Sequence, residues 1–222
     1  MAIDLPHEFD GEEGEEELPN PEELVDQARD LRTSAESLAS NIADLQRAQL
    51  AYTASISALA DTLSQPAALA CGIPHSIKQV LSDIEASTSQ STQLLSDAQD
   101  GPLRKLRSGK LKQFSTDSDA FKTATQNHTA AQAKLSSLVG KGKPSKPKLQ
   151  QLQMGEDETR KRAEQTAVAA RAAGKAAEAE HRVTLQKVVR DTAFSQLALH
   201  ARGLELFTKM MSELAQMPNA EA

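Results

Sequence analysis

From Leu24 onward, the apolar residues of this chain step alternately by four and by three for nearly six heptads. The series runs Leu24, Ala28, Leu31, Ala35, Leu38, Ile42, Leu45, Gln49, Tyr52, Ile56, Leu59 and Leu63, and only Gln49 breaks it. A stripe that repeats every 3.5 residues over such a length is a coiled-coil seam; a strand would alternate with period two. The chain is thereby held to long helices packed side by side. Aromatic residues make up 3% of the 222 residues and there is no Trp. That scarcity argues against a compact globule built on buried rings.

The ends of the first helix are marked. Asn20-Pro21-Glu22-Glu23 offers an N-cap, a proline at the first helical position and acids in the first turn. "SQPAALACGIPHS", with Pro66, Gly72 and Pro74, predicts a turn after Leu63. A second helix is expected from about Pro74 to Val139. Its seam starts with Ile77, Leu81 and Ile84 and crosses a polar stretch to Leu95 and Ala98. It resumes with Leu103 and Leu106 and continues through Phe114, Phe121, His128, Leu135 and Leu138. Gly101-Pro102 lies inside it. A proline removes one helical hydrogen bond and bends the axis, and the seam survives on both sides, so one kinked helix is expected. "GKGKPSKPK", residues 140–148, is a basic loop. A third helix, Ala-rich in its first half, should run from Leu149 to Met217. Helices this long cannot cover their seams within one chain, and a two-fold homodimer is the expected remedy. Leu31, Leu38, Ile42 and Leu45 of the first helix, with Leu204, Phe207, Met211 and Leu214 of the third, are the expected dimer interface.

The net charge of -6 conceals an asymmetry. Residues 1–40 carry thirteen acids against two Arg, whereas residues 101–175 carry sixteen Lys or Arg against six acids. An acidic tail and a basic surface for an anionic partner are the expectation. Residues 1–20 form the tail, residues 21–217 a three-helix domain and residues 218–222 a short polar end. The acidic stretch 8–23 is expected to be mobile, because its like charges repel and it has no apolar face. The beginning of the chain has neither a basic leader nor an apolar core segment, as expected of a cytoplasmic protein.

The basic residues fall into groups. Arg104, Lys105, Arg107, Lys110 and Lys112 follow the kink, Lys141, Lys143, Lys146 and Lys148 make the loop, and Arg160, Lys161 and Arg162 open the third helix. Heptad spacing puts Arg104 and Arg107 on one face and Lys105 and Lys112 on another. No catalytic constellation is present: there is no H-E-x-x-H or C-x-x-C, Cys71 stands alone, and His128, His181 and His200 lie near apolar seams. No enzyme activity, metal or cofactor is therefore expected. "GKGKPS" lacks the spacing of a phosphate loop. The basic segments lack interleaved aromatics, which argues against nucleic acid as the partner.

The kinked "GPLRKLRSGKLKQFSTDSDAFKTATQNHTAAQAKL" and the terminal "FSQLALHARGLELFTKMMSEL", set among three long heptad helices, resemble the BAR-domain superfamily over residues 22–217. Within it, His200, Gly203, Leu204, Glu205, Leu206 and Phe207 are similar to the end of the third helix in the ciliary-base BAR proteins that partner Chibby. The resemblance implies an all-α fold of three long kinked antiparallel helices forming a coiled-coil, BAR-type crescent homodimer. It implies non-enzymatic binding of curved, anionic phospholipid membrane through the basic residues named above. It also implies a peripheral position in the cytoplasm or at the ciliary base, with a Chibby-type coiled-coil partner. A soluble coiled-coil adaptor that binds proteins and never touches lipid is the alternative reading of the same seams.

Overall fold

The computed structural model describes residues 18–67, 75–140 and 145–216. These residues form α1 (Pro21–Leu63), α2 (His75–Ala98), a π-helical turn (Gln99–Leu103), α3 (Arg104–Ser108), α4 (Lys110–Gly140) and α5 (Lys146–Ala215). No strand occurs among the described residues. The three expected helical stretches are present, and their ends fall within a few residues of the sequence signals.

The start of α1 shows why. Asn20 Oδ1 accepts the Glu22 N–H at 3.0 Å, and Asn20 Nδ2 donates to Glu23 Oε1 at 3.2 Å. The cap satisfies one of the free N–H groups that every helix start exposes. Pro21–Glu23 are thus helical and not part of a mobile acidic stretch. Glu22 also accepts a hydrogen bond from Lys122 Nζ of α4 at 2.8 Å.

The second helical stretch is interrupted twice. At Gly101-Pro102 the helix widens. Pro102 has no N–H to give, and the Arg104 N–H reaches back five residues to the Gln99 carbonyl. Gln99 Nε2 donates to the Ala39 carbonyl at 2.7 Å, which fastens the turn to α1. The second interruption is at Gly109, with φ -100° and ψ -103°. Its N–H still bonds the Lys105 carbonyl at 2.9 Å and its carbonyl accepts from the Gln113 N–H at 3.0 Å.

The described residues gather into two compact units, one of those up to Asp26 with those of Asp117–Arg171, the other of those of Gln27–Thr116 with those from Ala172 on. In the first unit Phe121, 1% exposed, packs on Ala167 and Ala170 of α5 beside Leu24. His128 Nδ1 lies 3.5 Å from Glu156 Oε1, both side chains about one-fifth exposed. At that separation the two groups are neighbours without forming a hydrogen bond. Residue numbers rise along α4 as they fall along α5, so the two helices are antiparallel.

The second unit is layered. One apolar layer joins Ile56 of α1 to Ile77, Val80, Leu81 and Ile84 of α2 and Leu206 of α5. Another joins Ala39 and Ile42 to Leu95, Leu103 and Val188. Hence α2 runs antiparallel to both α1 and α5 here. Between the two lies a polar layer. Gln49 Nε2 donates to Ser91 Oγ at 3.0 Å, Thr92 Oγ1 donates to Gln49 Oε1 at 3.1 Å, and Ser91 and Ser195 share a hydroxyl hydrogen bond at 2.9 Å. The one break in the first seam therefore meets the polar stretch of the second. A buried polar layer of this kind fixes register, because any slip would strand its groups among aliphatic neighbours.

Small residues complete the packing on α5. In the second unit a β-carbon on Gly174 would stand 3.0 Å from the Phe114 ring, and Phe114 is 0% exposed. Ala173 and Ala177 are buried on the same face. The Ala-rich run leaves room for rings carried by the neighbouring helix; each ring is worth about 3–5 kcal/mol against truncation to Ala.

Candidate functional site

The cations after the π-turn are all exposed: Arg104, Lys105, Arg107, Lys110 and Lys112. Leu103, Leu106 and Leu111 alternate with them and are buried, which turns the charged side chains outward. Arg104 and Arg107 line a groove of about 470 Å³ together with Ser108, Leu111, Lys112, Ser115 and Thr116. Its opposite wall is α1, which contributes Arg32 and Glu36. Arg32 Nε donates to Glu36 Oε1 at 2.8 Å. That hydrogen bond, with the charges of Arg32 and Arg107, outweighs partial burial and holds the Glu36 carboxyl below the usual carboxylate range.

Two features of this groove depart from the sequence reading. Lys112 lines the same groove as Arg104 and Arg107, not a separate face shared with Lys105. Heptad spacing assumes an unbroken helix, and the non-helical ψ of Gly109 alters the phase between α3 and α4. Arg32 is the second. It precedes Arg104 by about seventy positions, in a helix whose visible signal was its apolar seam. No local pattern in the sequence could have joined the two.

The remaining sequence-derived cations lie on α5 in the other unit. Lys146, Lys148, Arg160, Lys161 and Arg162 are exposed, and Arg160 pairs with Asp157 at 2.9 Å. Lys141 and Lys143 lie outside the described residues, as do His7 and Cys71. No described helix is long and apolar enough to cross a membrane.

The apolar seam divides in two. Ala28, Ala35, Ile42, Gln49 and Ile56 are buried within the chain's own bundle. Leu31, Leu38 and Leu45 are half-buried, and Tyr52 and Leu59 are exposed. Ile42 is therefore a core residue and departs from the expected interface set, since the inward half of a heptad seam serves the intrachain layers. On α5, Leu204 is 71% exposed, and Phe207, Met211 and Leu214 are exposed as well. Leu45, Tyr52, Leu199, His200, Leu204 and Phe207 border an apolar groove of about 560 Å³ between α1 and α5. Exposed apolar side chains of α1 and α5 thus stand next to one another along this groove.

No family model matches the chain, and no curated protein matches it either. Among solved structures it is similar to one described as the structure of the Imp2 F-BAR domain. The TM-score is 0.50 at 13% identity, over 90% of this chain and 80% of that one. Element order, helix packing and this likeness agree on the fold: the described residues form an all-α bundle of long helices similar in fold to that F-BAR domain.

Proposed function

We propose that this protein is a non-enzymatic, membrane-curvature-related protein that binds anionic lipid as a homodimer, peripherally and from the cytoplasm. The observation that carries the reading is the exposed run Arg104, Lys105, Arg107, Lys110 and Lys112, backed by buried leucines, of which Arg104, Arg107 and Lys112 line a groove with a single carboxylate. Each cation held near an anionic leaflet contributes about 1 kcal/mol, and two chains double the number. Lys146, Lys148, Arg160, Lys161 and Arg162, with Lys141 and Lys143, are proposed as further lipid contacts. The uncovered stripe on α1 and α5 supports the dimer, with Leu31, Leu38, Leu45, Leu204, Phe207, Met211 and Leu214 as its interface.

A ciliary-base role with a Chibby-type coiled-coil partner rests on the run His200 to Phe207. His200, Gly203, Leu204 and Phe207 border the groove between α1 and α5, so such a partner and the second copy would compete for one surface.

Co-sedimentation with anionic vesicles tests the reading. Changing the five cations at 104–112 to Glu should leave helicity intact, because Lys, Arg and Glu are all good helix formers. Binding should be lost, and wild-type binding should weaken steeply from low to physiological salt. A folded reversal variant that binds as the wild type does would sink the proposal. The alternative, a coiled-coil adaptor without lipid contact, would then stand.

A further inference from the structure

Among the described residues, none of α4 beyond Ala124 and none of α5 before Ala163 is buried. Leu135, Leu138, Leu149 and Leu152 are only half-buried there. The reason is a missing third layer. Leu24 of α1 packs beside Phe121, and Pro21 and Glu22 then open a groove of about 360 Å³ that runs on along α4 past Gln126, Thr129 and Ala133. Residue numbers fall along α1 as they rise along α4, so the groove continues where the residues preceding Pro21 lead. Pro19 is half-buried, so the chain still lies against protein two residues before the helix starts.

Charge singles out the occupant. Glu12, Glu13, Glu15, Glu16 and Glu17 place five carboxylates in six residues, with no Lys or Arg among them. Lys122 lines the groove, and Lys134 stands one residue past its far end. His128 lies beside Glu156 and the two helices are antiparallel, so Lys148 is level with Ser136 and Arg162 with Lys122. Lys134, Lys148 and Arg162 are exposed and have no carboxylate within ion-pair distance among the described residues. Of the acids on this part of α5, Asp157 is held by Arg160, while Glu156 and Glu158 oppose the approach. The Glu22–Lys122 pair at 2.8 Å already seats a carboxylate from this end of α1 on an α4 cation. Reach agrees as well. From Lys122 to Gly140 α4 spans about 27 Å, and residues 12–20 span about 30 Å when extended.

We propose that residues 12–17, which lie outside the described residues, dock in cis along this groove, with their carboxylates on Lys134, Lys148 and Arg162. A segment of like charge repels itself in isolation, and cations on both sides relieve that repulsion. Exposed ion pairs are individually weak, but the tether holds the partners at high effective concentration. The docked segment screens these cations from other anions. The docking stands independently of the lipid reading above. The screening of lipid rests on that reading, and the experiment separates the two.

Nitroxide labels on Gly14→Cys and Ala133→Cys, in the full chain with Cys71→Ser, report the docking by electron-spin distance measurement. Excess unlabelled chain restricts the signal to pairs within one chain. At low salt a narrow distribution below about 25 Å is expected. High salt should broaden it. Changing Glu12, Glu13, Glu15, Glu16 and Glu17 to Gln, or Lys134 and Lys148 to Glu, should each broaden it with helicity unchanged. A broad distribution in the otherwise unaltered chain at low salt, or a narrow one that survives either change, overturns the proposal. Phosphatidylserine vesicles test the consequence. The five Glu→Gln changes should tighten binding by about three- to tenfold, and by much less when Lys134 and Lys148 are already Glu. Equal gains in both backgrounds would mean plain repulsion by the segment and would overturn the screening. A narrow, salt-sensitive distance in a chain that binds no vesicle upholds the docking and removes the lipid reading alone.

Discussion

The Phe114 ring lies against Gly174 with no room between them: a β-carbon at 174 would meet Cε2 at 3.0 Å and Cζ at 3.1 Å. Two effects oppose each other at this position. Alanine gains about 1 kcal/mol of helix propensity over glycine. Against that, the ring is wholly buried and must give way. Gly174→Val should therefore destabilise by about 1–3 kcal/mol, as overpacking does. In a Phe114→Leu background, Gly174→Ala should become stabilising, and urea unfolding of the four-variant cycle would reveal the change of sign.

The two glycines of the interrupted helix should respond to different degrees. Apart from its chain neighbours, nothing stands within 4 Å of a β-carbon at Gly101, whereas one at Gly109 would lie 2.8 Å from the Lys105 carbonyl oxygen. Gly101→Ala should change stability by less than about 1 kcal/mol, because the freedom lost by the unfolded chain is offset by crowding of the new β-carbon against the Pro102 ring. Gly109→Ala should destabilise by about 1 kcal/mol or more, since backbone atoms must move. Thermal unfolding of the pair measures both.

Gln49→Leu should cost about 1 kcal/mol, because Ser91 and Thr92 each lose one hydrogen bond in a buried layer while keeping Ser195 and the Thr88 carbonyl as partners. Adding Ser91→Ala, Thr92→Val and Ser195→Ala, which removes the remaining hydroxyls of the layer, should recover most of the loss in a urea titration. The recovered variant should show mixed assembly states by sedimentation, since a uniformly apolar seam no longer fixes register.

Leu204 and Phe207 tell folding apart from association. Both are exposed in the single chain. Leu204→Asp should leave the circular dichroism spectrum and the melting temperature nearly unchanged while converting a dimer to a monomer at micromolar concentration. A monomeric wild type under the same conditions would remove the dimer from the proposal.

His181 gives a pH dependence of defined sign. Desolvation holds its pKa below the ordinary value, and its Nε2 is buried without a hydrogen-bond partner. The unfolded chain therefore binds the proton more readily. Stability from this residue is complete above about pH 6.5, and it declines as pH falls toward the lower folded pKa. His181→Gln should flatten the decline between pH 7 and 5 in urea titrations.

The helices were legible in the sequence because their signals are local. Asn20 and Pro21 start α1 where the cap rule puts the start, and the seam from Leu24 to Leu63 announces a long helix. Which half of that seam turns inward was not legible, since a heptad names two rows and does not assign their partners. That is why Ile42 went to the core and Leu45 to the rim. The cluster Arg104 to Lys112 was legible as charge, but its groove was not. Arg32 comes from another helix, and Gly109 changes the phase between Arg104 and Lys112. Gln49 and the polar stretch of α2 were each visible as interruptions. Only the fold shows that they interrupt the same layer.

The turn at Gln99–Leu103 also governs how this chain can be compared with others. A five-residue hydrogen-bonded step holds one residue more than an ordinary helical turn. A related helix that lacks the turn would be one residue shorter between Ala98 and Arg104. Matched without a gap there, its positions would all fall about 100° out of phase around the axis. Buried leucines would then be equated with surface cations, and real kinship in this region would read as noise.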